Sequence, residues 1–334
     1  MKKWFLFPVL IFASQLHAQV LPVFGGERAG IAAMSFLKND MSPRSLAMGG
    51  ASVALDADAY SLWTNPAAIA DMPSFNMATT NYSIGAGVNQ SFLSVVTPRK
   101  NKVSAWGFSL NVLNSGAIKE RTEFQPEGTG REVFVTNGAA GLTYAQQLSS
   151  MFRLGVTLKY IYENVAEFYN HTMTADVSFL YETDFKELQF AVMVQNFGGN
   201  SSLTGDYLAV AFNRSPLDGL DRDAVPNVFS LGVSMVPWEQ DHHKIRTAIQ
   251  LNHPTDNAEN YRLGVEYTWR DILAVRTGYK INVRGQDWPT FGFGVRSRIG
   301  GHPLHIDYAM NPTNFMGWQH LIGLRFAINK DLFQ

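Results

Sequence analysis

The strongest constraint on this sequence is a two-residue alternation of apolar and polar side chains, held over segments of about 9 to 12 residues and repeated along most of the chain. Between residues 261 and 269 the apolar set Tyr261, Leu263, Val265, Tyr267 and Trp269 alternates with Arg262, Gly264, Glu266 and Thr268. Residues 152–162, 244–252 and 321–328 repeat the pattern. A strand pleat sends successive side chains to opposite faces, so these segments predict strands with one apolar and one polar face. After the first residues no window holds the run of about 18 apolar residues that a membrane-crossing helix needs.

Alternation alone fits a soluble sandwich with an apolar core as well as a membrane barrel with the apolar face outward. Three features favour the barrel. The segments exceed the usual strand length of about 5 to 6 residues and match the span of a tilted bilayer crossing. Aromatic residues gather toward segment ends, as in Tyr160 with Tyr162, Tyr267 with Trp269, and Tyr308, where a membrane interface would hold them. Finally, short connections alternate with longer ones, the two longest being residues 114–132 and 198–226. The expected fold is therefore all-β: a transmembrane antiparallel β-barrel of about 14 strands over residues 74–334, its long loops outside and its short turns periplasmic.

Composition narrows the function. Only 16% of the 334 residues are charged and the net charge is −1, so no basic tract is available for nucleic acid. The absence of cysteine excludes disulfides, thiolate chemistry and cysteine-based metal sites. Residues 1–18 read as a signal peptide: Lys2 and Lys3 precede an apolar stretch, and Ala18 supplies the small residue before a cut ahead of Gln19. The expected location is the outer membrane of a Gram-negative cell, reached through the general secretory pathway, with membrane lipid as one partner.

Residues 19–73 lack alternation and are rich in Ala and Gly. They are expected to form a plug-like segment at the periplasmic mouth. Within them Gly49 and Gly50 permit close backbone approach or positive φ, and Asn65 with Pro66 is a turn starter. Inward positions of the strands carry Arg153, Lys159, Arg246, Arg262, Arg276, Lys280, Arg296, Arg298 and Arg325 against Asp176, Glu182, Glu266 and Asp307. This excess reads either as an anion pathway or, more simply, as an ion-pair network that holds the plug.

The stretch from Pro43 through Arg44, Gly49 and Gly50 to Asn65-Pro66-Ala67 resembles the N-terminal signature of the PorV/PorQ family of type IX secretion system outer-membrane proteins. It is also distantly similar to the long-chain fatty-acid transporter barrels, which have an Asn-Pro-Ala segment of their own. The resemblance takes in Gln195-Asn196-Phe197-Gly198 and the C-terminal stretches 304–309 and 320–326, and departs at the end, where the chain finishes Leu332-Phe333-Gln334 rather than on an aromatic. It implies a non-enzymatic component that binds the C-terminal sorting domains of secreted cargo or docks on translocon or attachment proteins. The alternative is a transporter of hydrophobic small molecules, which predicts an apolar lumenal pocket and a lateral opening.

No catalytic, cofactor-binding or metal-ligating set is expected. His242 and His243 with Asp241, and His302 with His305, lack a fixed third ligand. No segment places an outward serine beside a histidine and an orienting polar group. The expected partner surface is the two longest outer loops, residues 114–132 and 198–226, the second through Leu203, Tyr207, Leu208, Phe212 and Leu217, because so much apolar surface on a loop marks a binding site.

Overall fold

The computed structural model describes residues 32–100, 103–204 and 224–328. The signal-peptide reading of residues 1–18, and the loop residues Tyr207, Leu208, Phe212 and Leu217, lie outside them. Fourteen strands form one closed antiparallel barrel. In chain order they are β1 (Phe75–Gly85), β2 (Val88–Pro98), β3 (Ser104–Asn114), β4 (Val135–Gln147), β5 (Phe152–Val165), β6 (Phe168–Glu182), β7 (Gln189–Gly198), β8 (Val228–Gln240), β9 (His243–Pro254), β10 (Asn260–Trp269), β11 (Leu273–Ile281), β12 (Thr290–Ile299), β13 (His302–Thr313) and β14 (Gly317–Ile328). Each pairs with its sequence neighbours, and β1 pairs with β14 to close the wall, Thr79 opposite Leu324.

The pleat assigns the faces as the alternation predicts. On β10, Leu263 and Val265 are exposed outward while Gly264 and Glu266 are buried inward. Exposed Trp106, Phe108, Leu110, Leu158, Ile249, Val275, Phe293, Ile322 and Leu324 continue an apolar outer belt. Such a surface is costly in water and suited to lipid. Trp106 against Tyr144, with ring centroids 4.9 Å apart, and Phe152 against Phe179, at 5.7 Å, pack near the short-turn end. Tyr308 differs from the girdle reading: it lies mid-strand on β13, its hydroxyl bonded to His320 Nδ1 at 2.7 Å. That bond satisfies two polar groups on an apolar face.

The two ends of the barrel are unlike. One carries the short turns after β2, β4, β6, β8, β10 and β12; the other carries the long connections after β3 and β7. We call them the turn end and the loop end. The connection after β3 has a small ribbon of its own, Ile118–Lys119 paired with Glu132–Val133.

The hydrophobic core lies inside the barrel. It joins Leu46, Tyr60, Leu62, Trp63 and Ile69 of the N-terminal segment to Ala78, Phe92, Val96, Ala105, Ile161 and Leu321 of the inner wall. Full burial of an aliphatic or aromatic side chain of this size contributes about 1.5 to 3 kcal/mol, so this contact anchors the segment firmly. The segment is not confined to the periplasmic mouth. Its Ala32 bridges Ala224 at the loop end, whereas Asp71 reaches Arg153 at the turn end. It thus runs the length of the lumen.

Candidate functional site

Short local signals shape the lumenal segment. Pro43 opens helix α1 (Pro43–Ala47), and the Ser42 side chain caps it by accepting from Ser45 N, the usual use of serine at a helix start. Helix α2 (Ser61–Thr64) follows. Asn65 then caps the 3-10 turn Pro66–Asp71: its Oδ1 accepts from Ala67 N at 3.0 Å, while its Nδ2 donates to Val53 O at 2.5 Å. Its φ of −166° is extended backbone, as a residue before proline favours.

Glycine at inward wall positions makes room for this segment. A Cβ on Gly155 would fall onto the backbone of Pro66 and Ala67; one on Gly278 would fall onto Met48 and Gly49. Gly107, Gly232, Gly292 and Gly323 stand the same way against Leu62, Val53, Ala47 and Tyr60. From the other side, Gly49 (φ 68°) and Gly50 (φ 81°) both occupy the left-handed region. A Cβ on Gly49 would come within 2.8 Å of Tyr279 N, and one on Gly50 would strike Arg262. Gly49 is therefore required by conformation and by space, and Gly50 by conformation.

Charge completes the docking. Arg44 grips Glu266 with two bonds, Nε to Oε2 at 2.9 Å and Nη2 to Oε1 at 2.5 Å. Glu266 is shared with Arg276 at 2.6 Å, and Arg276 meets Asp307 at 2.6 Å. Asp56 pairs with Arg246 at 2.9 Å, Asp58 with Arg325 at 2.9 Å, and Asp71 with Arg153 at 2.7 Å. Carboxylates of the segment thus meet cations of the wall, and the inward excess of arginine is largely compensated. Lys159 pairs with Asp176 at 2.7 Å, entirely within the wall, at the bulge formed by Asn196.

Glu266→Gln should expose the cost of this network, because it keeps the volume but leaves Arg44 facing Arg276 without their shared carboxylate. Removal of one partner from a buried ion pair costs about 3 to 5 kcal/mol. A urea titration of the refolded barrel in detergent should show the midpoint falling accordingly. An unchanged midpoint would mean that the triad contributes nothing net.

Two kinds of space remain in the lumen. At the turn end lie cavities of about 210 and 520 Å³, walled by Arg296, His305 and Arg325 among others. At the loop end a cavity of about 280 Å³ lies between Lys38, Asp40 and Trp63 of the segment and Gln195, Gln250, Arg262 and Lys280 of the wall. It is not the apolar pocket expected for a hydrocarbon, since most of these lining groups are polar. Gln195 and Val228, which also line it, are the last residues paired between β7 and β8; beyond them, among the described residues, Phe197 and Gly198 pair only with β6. The sequence motifs gave no sign of this cavity. Its one legible trace is the inward parity of Arg262 and Lys280.

The residues singled out in the sequence separate into two groups. Arg44, Gly49, Gly50 and Pro66 meet the wall at separate places, at Glu266, Tyr279, Arg262 and Gly155, whereas both hydrogen bonds of Asn65 stay within the segment. Leu203 is half-buried, next to Thr204, whose backbone pairs with Tyr169. Of the histidines, His243 bonds the Tyr267 hydroxyl at 2.6 Å and His305 accepts from Arg325 at 2.8 Å.

No family model and no curated protein matches the sequence. Among solved structures, the chain is similar to the toluene transporter TodX of Pseudomonas putida, with 13% identity and a TM-score of 0.56 over 86% of this chain and 96% of that one. It is similar also to the toluene transporter TbuX of Ralstonia pickettii (11%, TM-score 0.52, 86% and 98%) and to a FadL homologue of Pseudomonas aeruginosa (11%, TM-score 0.52, 90% and 98%). At such identities the likeness is one of fold: a closed barrel of the kind found in Gram-negative outer-membrane transporters. None of these matches supports the type IX secretion resemblance in particular.

Proposed function

We propose that this chain is a non-enzymatic outer-membrane barrel that admits a small molecule to the loop-end cavity and releases it past the lumenal segment or sideways through the wall. The observation that carries the reading is the position of the cavity. It lies between segment and wall, at the height where the β7–β8 ladder stops at Gln195 and Val228. A ladder that ends beside a cavity is where a side exit forms at least cost, because few hydrogen bonds must break there. The shared fold with toluene transporters supports the class of function. Their cargo does not carry over unchanged, since this cavity is polar.

The type IX secretion reading, with cargo sorting domains or translocon and attachment proteins as partners, rests on the N-terminal motif and the Gln195-Asn196-Phe197-Gly198 stretch. Arg44, Gly49, Gly50, Asn65 and Pro66 are all engaged in shaping or seating the segment, so the motif accounts for architecture without invoking a partner. Gln195 likewise donates to Trp63 O at 3.0 Å, and Asn196 to Pro226 O at 3.1 Å.

The test is extraction of the protein purified from native outer membrane, with mass spectrometry of both small molecules and copurifying proteins. The expected result is a small molecule at near one per barrel. Secreted proteins at that ratio, with no bound small molecule, would overturn the proposal in favour of docking.

A further inference from the structure

The loop-end cavity holds two half-buried cations that the ion-pair network leaves out, whereas Arg296 of the turn-end cavities, which likewise has no ion pair among the described residues, is exposed. Arg153, Lys159, Arg246, Arg276 and Arg325 each meet a carboxylate. Arg262 and Lys280 form no ion pair among the described residues, yet both line this cavity. They are register partners on β10 and β11, so two like charges stand directly opposite on one inner face. That arrangement is unfavourable unless something compensates it.

The groups that hydrogen-bond Arg262 among the described residues are neutral. Arg262 Nε donates to Asn260 Oδ1 at 3.1 Å and Nη1 to Gly50 O at 3.4 Å. Lys280 has no hydrogen bond among the described residues. Asp40 is the one carboxylate lining the cavity among the described residues. It is already engaged by the Ser45 hydroxyl and by Ser42 N at 3.2 Å. Burial pushes its carboxyl above the ordinary value although Arg262 and Lys280 pull it the other way, so a single carboxylate of the lining stands against the two cations. Lys38 is taken by Asp256 at 2.5 Å, and Arg284 adds a further positive charge at the rim. The remaining lining is rich in carboxamides, among them Asn39, Gln195, Gln250 and Asn257, which offer both donors and acceptors.

We infer that this cavity binds a small hydroxylated organic anion, its carboxylate bridging Arg262 and Lys280 and its hydroxyl groups meeting the surrounding carboxamides. The inference rests on the small-molecule reading above and names the class of solute. A carboxylate between the two cations would relieve their repulsion and supply the acceptor that Lys280 lacks among the described residues. A hydrocarbon could do neither, and would strip water from charged groups without replacing their hydrogen bonds.

The experiment is calorimetric titration of the full-length protein, refolded in detergent, with glucuronate, glucose and toluene. Glucuronate should bind at least tenfold more tightly than glucose, which has the same ring without the charge, and should weaken as salt rises. Lys280→Met should lower glucuronate affinity at least tenfold, and Lys280→Arg should restore most of it. Heat-modifiable migration in gels shows that each variant is folded; should Lys280→Met not fold, the glucuronate-to-glucose ratio and its salt dependence decide alone. Equal affinity for the two sugars, or toluene binding without glucuronate binding, would overturn the inference and leave the small-molecule reading standing. Failure of all three to bind would overturn the inference, and a native barrel that also yields no small molecule on extraction would remove the reading beneath it.

Discussion

Gly278→Val should expel the lumenal segment and turn a closed barrel into a conducting one. Any side chain at this inward position of β11 would occupy the space held by the backbone of Met48 and Gly49. Neither partner can yield: Gly49 N donates to Thr290 Oγ1 at 3.0 Å, and the Thr290 hydroxyl in turn donates to the Ala47 carbonyl at 2.9 Å. Overpacking that side chains could absorb costs about 1 to 3 kcal/mol, but here backbone meets backbone, and the cost should exceed that range. The hydrogen bonds of the strand ladder do not involve the segment, so the wall should still form, at a lower yield than the parent. Planar-bilayer recordings should show silence for the parent protein and stable steps for the variant, with protease cutting the N-terminal part of the variant only. A variant that stays silent and protease-resistant would mean that the segment has another way to seat.

The second large effect concerns the outer face. Leu263→Arg or Val265→Arg places a guanidinium on the exposed apolar side of β10, at a cost of about 2 to 4 kcal/mol near the bilayer midplane. Thr268→Arg, on the opposite face and beside the turn-end cavity, should be far milder. Folding yield into lipid vesicles measures the difference. Equal defects on the two faces would contradict the assignment of lipid and lumen sides.

These contrasts follow from parity, and parity is what the sequence displays most clearly. The alternation read over residues 261–269 matches β10, Asn260–Trp269, to within one residue. The start of strand β6 at Phe168 is harder to read, since Tyr169, Asn170 and His171 blur the pattern. Inward cations are legible for the same reason as the strands. Their partners are not: Asp56, Asp58 and Asp71 lie in a segment with no period, and only the fold brings Asp71 to Arg153 across 82 positions. Helices of four and five residues are too short for a helical period to show. The wall glycines look like ordinary strand interruptions until the segment they accommodate is in place.

Tyr60 occupies an unusual place in this arrangement. Its hydroxyl lies 3.3 Å from Thr79 O on β1 and 3.2 Å from Leu324 O on β14, the register partners of the closing joint. Every other joint in the wall links strands that follow one another in the chain, so this seam alone carries the entropy of bringing the two termini of the barrel together. A phenol that touches both lips of the seam makes sealing most favourable when the N-terminal segment is already laid along the inner surface. Assembly then has a built-in order: the cylinder closes around its contents, and a wall that sealed empty would lose both the donor at its seam and the countercharges for its arginines.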